Sequence, residues 1–302
     1  METNDRAGVL GALFAQGRGL PRWGSEADYP AYDVEPACFA AYDGMGSWQR
    51  EEAERLYHAE RRRLPEALVS RRRKGLTLED AYRVQWCGAA LRVREGARVL
   101  GHKVGLTSKA MQHQVGLDTP DSGILLDYMV VAPGEALRAA ELLSPRIEAE
   151  IAFRLGTDLC GTDVVEEAAR GAMAEVFLAL EVIDSRFHLD GITLADSVAD
   201  NAACARFVLG EAVPMPSWDL RGERLTVCSR ITPVAVGEGR DVLGDPIRSV
   251  VWLARRLAAF GAGLKAGDVV LAGAVHESIP VPAGETVSVS SPRLPPVSLH
   301  VA

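Results

Sequence analysis

The chain is short of the features that mark several large protein classes. Its five cysteines (Cys38, Cys87, Cys160, Cys204 and Cys228) are odd in number, scattered, and never spaced as Cys-x-x-Cys. That excludes a disulfide framework and a structural zinc site, and it points to a reducing compartment, the cytosol. No apolar run approaches the roughly 18 to 20 residues that a spanning helix needs, and even Gly171 to Ile183 is broken by Glu175 and Glu181. Val9 to Ala15 resembles a secretory core, but Arg6 is its sole upstream positive charge and Gln16-Gly17-Arg18 is no cleavage site, so no signal peptide is expected. Positive charge is also scarce. The 33 basic and 41 acidic residues leave a net −8, which argues against broad attraction to nucleic acid or anionic lipid. A Gly-x-Ser-x-Gly nucleophile elbow is missing, and the glycine-rich Gly101 to Lys109 lacks the Gly-Lys-Ser/Thr order of a phosphate loop. Small-molecule chemistry without a covalent nucleophile remains.

With 302 residues, 48% of them apolar, the chain can build a sizeable core in one or two domains of about 150 residues each. Residues 1 to about 47 mix glycine, proline and aromatics without a period and read as an irregular arm whose apolar content packs against something. A helix is expected from an N-cap at Ser47 to about Val69, broken or kinked at Pro65. A second follows Thr77-Leu78-Glu79-Asp80 and runs to about Glu95. After Gly96 short apolar runs separated by Gly, Pro and Asp predict strands at Val99 to Val104, Arg146 to Leu155, Val176 to Ile183, Ala205 to Leu209, Leu225 to Arg230, Val269 to Ala272, Thr286 to Ser290 and Val297 to Val301. Two more helices are expected, Val164 to Ala174 and Ile247 to Phe260. A boundary near residue 75 separates an N-terminal arm and helix from a domain over 76–302. The runs Arg61-Arg62-Arg63 and Arg71-Arg72-Arg73-Lys74 are interleaved with glutamates and read as a solvated helix face, with contact to RNA or a protein partner as the lesser alternative.

The most informative segment is Pro145-Arg146-Ile147-Glu148-Ala149-Glu150-Ile151-Ala152. In a strand, residues two apart share a face, so Glu148 and Glu150 project together while Ile147, Ala149 and Ile151 pack behind them. A second strand, Val176 to Ile183, is apolar for five residues before it presents Glu181, a costly place for a lone charge. Three converging carboxylates describe a site for a hard cation, Mg²⁺ or Mn²⁺. The alternative is that Glu148 and Glu150 lie on a solvated sheet face and Glu181 ends its strand at the surface. Spacing alone leaves both open.

The wider text carries a resemblance. Gly101-His102-Lys103-Val104-Gly105-Leu106-Thr107-Ser108-Lys109-Ala110-Met111-Gln112, Asp118-Thr119-Pro120-Asp121-Ser122-Gly123, Pro145 to Glu150, Leu180-Glu181-Val182-Ile183-Asp184-Ser185-Arg186 and Val198-Ala199-Asp200-Asn201-Ala202-Ala203 follow one another at compatible spacings. Together they resemble the 2-keto-4-pentenoate hydratase and 2-oxo-3-enedioate decarboxylase family, within the fumarylacetoacetate hydrolase superfamily, from about Leu76 to about Gly284. The resemblance implies an α+β fold, a β-rich mixed core with outer helices and here a helical N-terminal region. It implies that Glu148, Glu150 and Glu181 hold a divalent metal, that Lys103 lines the substrate pocket, and that Asp121 is its acidic partner. It further implies that Gly105 and Leu106 bring backbone close to a substrate carboxylate and that Asn201 lies on a loop near the metal. A 2-oxo acid would chelate such a cation through its carboxylate and C2 oxygen, and Lys103 would offset the excess negative charge. Lys103 and Asp121 are then a candidate acid/base pair.

Three stretches depart from the family pattern. Ala274-Val275-His276-Glu277-Ser278 falls where relatives carry small or hydroxyl residues on a substrate-facing loop, so His276 or Glu277 either touches substrate or sits on an ordinary surface loop. Pro292-Arg293-Leu294-Pro295-Pro296-Val297-Ser298 replaces the turn expected before the last strand, and two consecutive prolines fix that turn differently. The N-terminal arm has no counterpart. The expected activity is hydration of a 2-hydroxy-2,4-dienoate, or its 2-oxo-enoate tautomer, to a 4-hydroxy-2-oxo acid. Decarboxylation of a 2-oxo-3-enedioate is the first alternative; hydrolysis of an acylpyruvate and a role as non-catalytic partner subunit are the others. The expected partners are the small-molecule substrate and further copies of the chain, with no nucleic acid and no membrane.

Overall fold

The computed structural model describes residues 45–302 apart from Pro133 and Pro282, so the arm expected at the N-terminus lies outside the described residues up to residue 44. The first helix, α1 (Ser47–Arg62), starts one residue earlier than expected: Gly46 is its N-cap, Ser47 is already helical, and no side chain caps the end. It stops three residues before Pro65, with Arg63 in the left-handed conformation (φ 54), and a single turn, α2 (Val69–Arg72), follows. The second expected helix, α3 (Leu78–Arg94), begins where the capping signal places it, because the Thr77 hydroxyl accepts the Asp80 N–H at 3.1 Å. The arginine runs are not a merely solvated face. Glu52 is buried and accepts from Arg72 at 2.6 Å and Arg73 at 3.1 Å, tying α1 to the α2 turn.

From residue 99 the chain is mostly strand: β1 (Val99–Gly105), β2 (Asp121–Leu126), β3 (Ala136–Leu137), β4 (Arg146–Leu155), β5 (Met173–Ile183), β6 (Cys204–Leu209) and β7 (Val213–Pro214). Then come β8 (Arg224–Ser229), β9 (Thr232–Glu238), β10 (Val269–Ala274), β11 (Ile279–Pro280), β12 (Thr286–Ser290) and β13 (Val297–Val301). Helices α4 (Lys109–Val115), α5 (Glu166–Ala172), α6 (Leu194–Ala199) and α7 (Pro246–Ala258) interrupt them. Every expected strand is present, but β2, β9 and the short β3, β7 and β11 were not foreseen, nor were α4 and α6. The segment that leads into β2 and forms its first half, Asp118-Thr119-Pro120-Asp121-Ser122-Gly123, is dominated by turn formers, and Asp121 to Gly123 are extended in pairing with β1.

The strands form two sheets. The larger runs β2-β1-β10-β4-β5-β6, with β11 edging β4 and β7 edging β5; the smaller runs β3-β13-β12-β8-β9. Among the strands of the described residues only β1–β10 and β3–β13 pair in parallel. This is the α+β mixed-sheet class that the sequence implied. Alternation along β4 sorts its side chains between two cores. Ile147, Ala149, Ile151 and Phe153 join one with Val227 and Val289 of the smaller sheet and Val250, Leu253 and Leu257 of α7. On the other face Ala152, Phe177 and Phe207 meet Ala53 and Leu56 of α1 and Val84, Trp86 and Ala89 of α3. The N-terminal helices therefore cover the face on which Glu148 and Glu150 stand. The proline-rich turn before β13 leaves the β12–β13 pairing regular and is anchored by Arg293, which gives both its backbone N–H and its Nε to buried Glu223, at 3.1 and 2.9 Å. No helix among the described residues is long and apolar enough to cross a membrane.

Gly101 shows how tightly β1 meets β10. Its φ is 144°, and a Cβ there would stand 2.0 Å from the Val269 carbonyl oxygen, whereas at Gly116 (φ 78) it would meet nothing within 4 Å. Gly101→Ala should therefore destabilise by about 3 kcal/mol or more, and Gly116→Ala by about 1 kcal/mol. Urea midpoints measure both, and equal shifts would contradict the close approach.

Candidate active site

Glu148 and Glu181 are direct cross-strand partners on β4 and β5, and Glu150 follows one pleat along. All three are buried, and a carboxylate oxygen from each lies within 4.8 Å of the other two. The solvated-face alternative fails on that burial. Glu150 is gripped from β10, whose Gly273 N–H donates to its Oε2 at 2.6 Å. Gly273 must be glycine: its φ is 113°, and a Cβ would sit 1.9 Å from the Thr107 hydroxyl.

Lys103 reaches the cluster from β1. Its ammonium lies 3.3 Å from Glu181 Oε2 and donates to the Ala202 carbonyl at 3.0 Å. Asp121, at the start of β2, pairs in register with Gly105, and its Oδ2 accepts from the Ser197 hydroxyl of α6 at 2.5 Å. A Cβ on Gly105 would lie 2.2 Å from Asp121 Oδ1 and 3.1 Å from Lys103 Nζ, so glycine here lets the acid and the ammonium approach each other across bare backbone. Leu106 then turns the chain out of the strand at φ 57, buried, its carbonyl accepting from the Gln112 side chain at 2.9 Å.

The structure gives Asn201 and His276 unexpected tasks. Asn201, Ala202 and Ala203 are consecutive left-handed residues (φ 54, 49 and 58). The Asn201 amide pairs with β2 like a strand, accepting the Ile124 N–H at 2.7 Å and donating to the Ile124 carbonyl at 2.9 Å. Asp200 just before it is held by Arg186 (2.6 Å) and by Ser185 (2.9 Å). His276 is buried rather than on a surface loop. Its Nε2 accepts the Ala149 N–H at 3.1 Å and its Nδ1 faces the Glu277 carbonyl at 2.5 Å. Sequence reasoning did not reach Ser197, Thr107, Gly273 or the Ala202 carbonyl; backbone groups and lone hydroxyls carry no pattern until the fold assembles them.

Electrostatics follow from crowding. Burial, joined by Glu181 and outweighing Lys103, pushes Glu148 up to about 8. Burial and then Glu181 and Glu148 raise Glu150 well above the usual carboxylate range. Burial also raises Asp121, against the pull of Lys103. For Lys103 burial opposes the charge, yet Glu181, Glu148 and Asp121 prevail and hold its pKa above the ordinary lysine value. Among the described residues no hydrogen bond reaches Glu150 Oε1, Asp121 Oδ1 or the Thr107 hydroxyl. The carboxylate oxygens that Glu148, Glu150 and Glu181 bring within 4.8 Å of one another, all buried and with no nitrogen or sulfur ligand among the three, fit a hard divalent cation.

An α+β catalytic domain with a buried three-carboxylate centre beside a Lys–Asp pair is the class that this fold and site define. The sequence profile described as fumarylacetoacetate (FAA) hydrolase C-terminal matches residues 100–302. The chain is 39% identical over 237 residues to a 2-hydroxyhexa-2,4-dienoate hydratase of Comamonas testosteroni, covering 78% of this chain and 90% of that one. It is 37% identical to a 2-keto-4-pentenoate hydratase of Paraburkholderia xenovorans (strain LB400), covering 80% and 90%. Among solved structures it resembles the 4-oxalocrotonate decarboxylase from Pseudomonas putida G7 complexed with magnesium and adipate, with a TM-score of 0.81, 32% identity, and coverage of 84% of this chain and 97% of that one. The chain belongs to the fumarylacetoacetate hydrolase family, in its 2-keto-4-pentenoate hydratase and 2-oxo-3-enedioate decarboxylase branch.

The buried carboxyls set a pH dependence. Glu148 is raised from 4.5 to about 8, so its contribution to metal-free stability is present below about 4.5 and lost as pH climbs toward 8. In EDTA the Tm should fall across that window, and saturating Mg²⁺ or Mn²⁺ should remove the fall. Metal binding should release protons and tighten from about pH 6 to about pH 8.5. A flat Tm profile in EDTA would count against this electrostatic account.

Proposed function

We propose that this chain is a divalent-metal-dependent lyase that hydrates a 2-hydroxy-2,4-dienoate. The observation that carries the reading is the juxtaposition of Glu148, Glu150 and Glu181 with Lys103 and with the unpaired Oδ1 of Asp121, and the hydratase relatives support it. The three glutamates would hold Mg²⁺ or Mn²⁺. When bound, the ion supplies Lewis-acid stabilisation of negative charge on the C2 oxygen of a 2-oxo acid. Lys103, kept protonated by the carboxylates around it, offsets their charge and admits an anionic substrate. Asp121 moves the proton. Oδ1 gives it to C5 of the dienol while the C2 hydroxyl releases its own proton to solvent and becomes a ketone; solvent reprotonates Asp121, and one water then adds its OH at C4 and its remaining proton at C3. The backbone at Gly105 and Leu106 lies where the substrate carboxylate would approach. We place the protein in the cytosol as a homo-oligomer.

Arg146 favours a second reading. It shares the β4 face of Glu148 and is half-buried; its Nε donates to the Ser278 hydroxyl at 2.7 Å, and among the described residues it makes no ion pair. A cation one pleat beyond the metal ligands suits the remote carboxylate of a 2-oxo-enedioate, which would leave as CO₂. The decarboxylase neighbour supports this alternative.

Product mass decides between them. With purified protein and Mg²⁺, a 2-hydroxy-dienoate should gain one water, and EDTA should abolish the change; loss of CO₂ from an enedioate would establish the decarboxylase instead. Asp121→Asn should lower kcat by about 10²-fold or more while metal affinity stays near wild type, and full activity in that variant would remove Asp121 from the reaction. If no substrate reacts and calorimetry detects no metal, a non-catalytic partner role takes its place.

A further inference from the structure

Beside β4, strand β10 is regular only for its first half. The register runs from Val269 opposite Arg154 to Leu271 opposite Ala152, then shifts before Ala274 opposite Glu150. Gly273 lies in the shift and spends its N–H on the Glu150 carboxylate instead of on the ladder. Val275 resumes the ladder by donating to the Ala149 carbonyl at 3.2 Å. The Ala149 N–H then needs a partner, because Ala149 is 0% exposed and an unpaired buried donor costs about 1–3 kcal/mol. A strand running on would offer a carbonyl, but the chain leaves β10 here on its way to β11. The acceptor is the His276 ring, whose Nε2 stands 3.1 Å from the Ala149 nitrogen. Since Nε2 accepts, the ring proton sits on Nδ1, where it donates to the Glu277 carbonyl at 2.5 Å. Both ring nitrogens are thus occupied within the protein.

Ala149 is the residue between Glu148 and Glu150. We infer that His276 is a positioning residue for the metal centre: its imidazole substitutes for a β-ladder carbonyl, pins Ala149, and so fixes the spacing of the two glutamates. The inference rests on the reading of Glu148, Glu150 and Glu181 as metal ligands. Such a centre tolerates only about 0.5 Å of error in ligand placement, and loss of a group that orients the ligands typically weakens metal binding 10–100-fold. It also removes His276 from the residues that contact substrate.

The test uses the whole protein and Mn²⁺ alone, with the dissociation constant read by calorimetry or by the spectrum of free Mn²⁺. A glutamine oxygen reaches the position of Nε2, an asparagine oxygen stops short of it, and phenylalanine keeps the ring without an acceptor. His276→Gln should bind Mn²⁺ within about 3-fold of wild type, whereas His276→Asn and His276→Phe should weaken binding about 10-fold or more. At saturating metal, KM should stay at the wild-type value in all three. Should the phenylalanine variant not fold, the glutamine and asparagine pair decides. Tight binding by His276→Asn, or equal weakening in the glutamine and asparagine variants, overturns the inference while leaving the metal centre intact. Wild-type protein that binds no Mn²⁺, or a Glu148→Gln variant that binds it as well as wild type, overturns the metal centre and this inference with it.

Discussion

Three carboxylates within 4.8 Å of one another, all buried, repel by about 3 kcal/mol per ionised pair even at an effective dielectric near 20. The surroundings of the cluster offset that repulsion. Lys103 brings a buried positive charge against Glu181, Gly273 turns a backbone N–H toward Glu150, and burial raises the pKa of Glu148 and of Glu150, which eases the repulsion by favouring their protonated forms. Lys103 is itself expensive to bury, and it is tolerated because the carboxylates surround it and the Ala202 carbonyl accepts one of its hydrogen bonds. The ammonium and the carboxylates justify one another, and neither would be stable there alone.

Backbone strain gathers at the same place. Leu106 and the run Asn201-Ala202-Ala203 are all left-handed, a conformation that costs roughly 1–2 kcal/mol for each residue that is not glycine. The run persists because its start is clamped by the Asn201 amide on Ile124 and by Arg186 on Asp200, and its end by the Asp184 N–H, which donates to the Ala203 carbonyl at 2.8 Å; it presents the Ala202 carbonyl to Lys103. Strain of this kind survives where the surroundings over-determine it, and it clusters at functional sites. The N-terminal helices belong to this support. Gln85 of α3 donates to both the Ser122 and Val198 carbonyls at 2.7 and 2.8 Å, and Tyr82 contacts the Ser122 hydroxyl at 3.2 Å, so α3 holds β2 and α6 together behind Asp121.

Much of this was legible beforehand, for reasons that can be named. Period-two alternation around Glu148 and Glu150 survives any packing arrangement, because a strand has only two faces. The apolar run before Glu181 made a lone charge there costly and so marked the residue without deciding its burial, and Thr77 announced a helix start through the hydroxyl that caps it. Other features stayed out of reach. Strand β2 begins in turn-forming residues and is extended in pairing with β1. Ser47 resembled a cap yet sits inside the helix, since capping depends on a backbone geometry that Gly46 adopts instead. The arginine runs looked solvated because their partner Glu52 becomes buried only when α1 and α2 meet.

By itself the sequence determined the carboxylate chemistry, the face that Glu148 and Glu150 share, the order of the motifs and hence the family, since all of these are carried by residue type and local period. Tertiary structure alone decided what Asn201 and His276 do. Each spends its polar atoms on the backbone of a distant strand, at Ile124 and at Ala149, and a hydrogen bond across 77 or 127 residues of chain leaves no trace in local spacing. The proximity of Lys103 to Asp121 across Gly105 has the same origin: β1 and β2 must pair before the missing side chain becomes the space in which acid and ammonium meet.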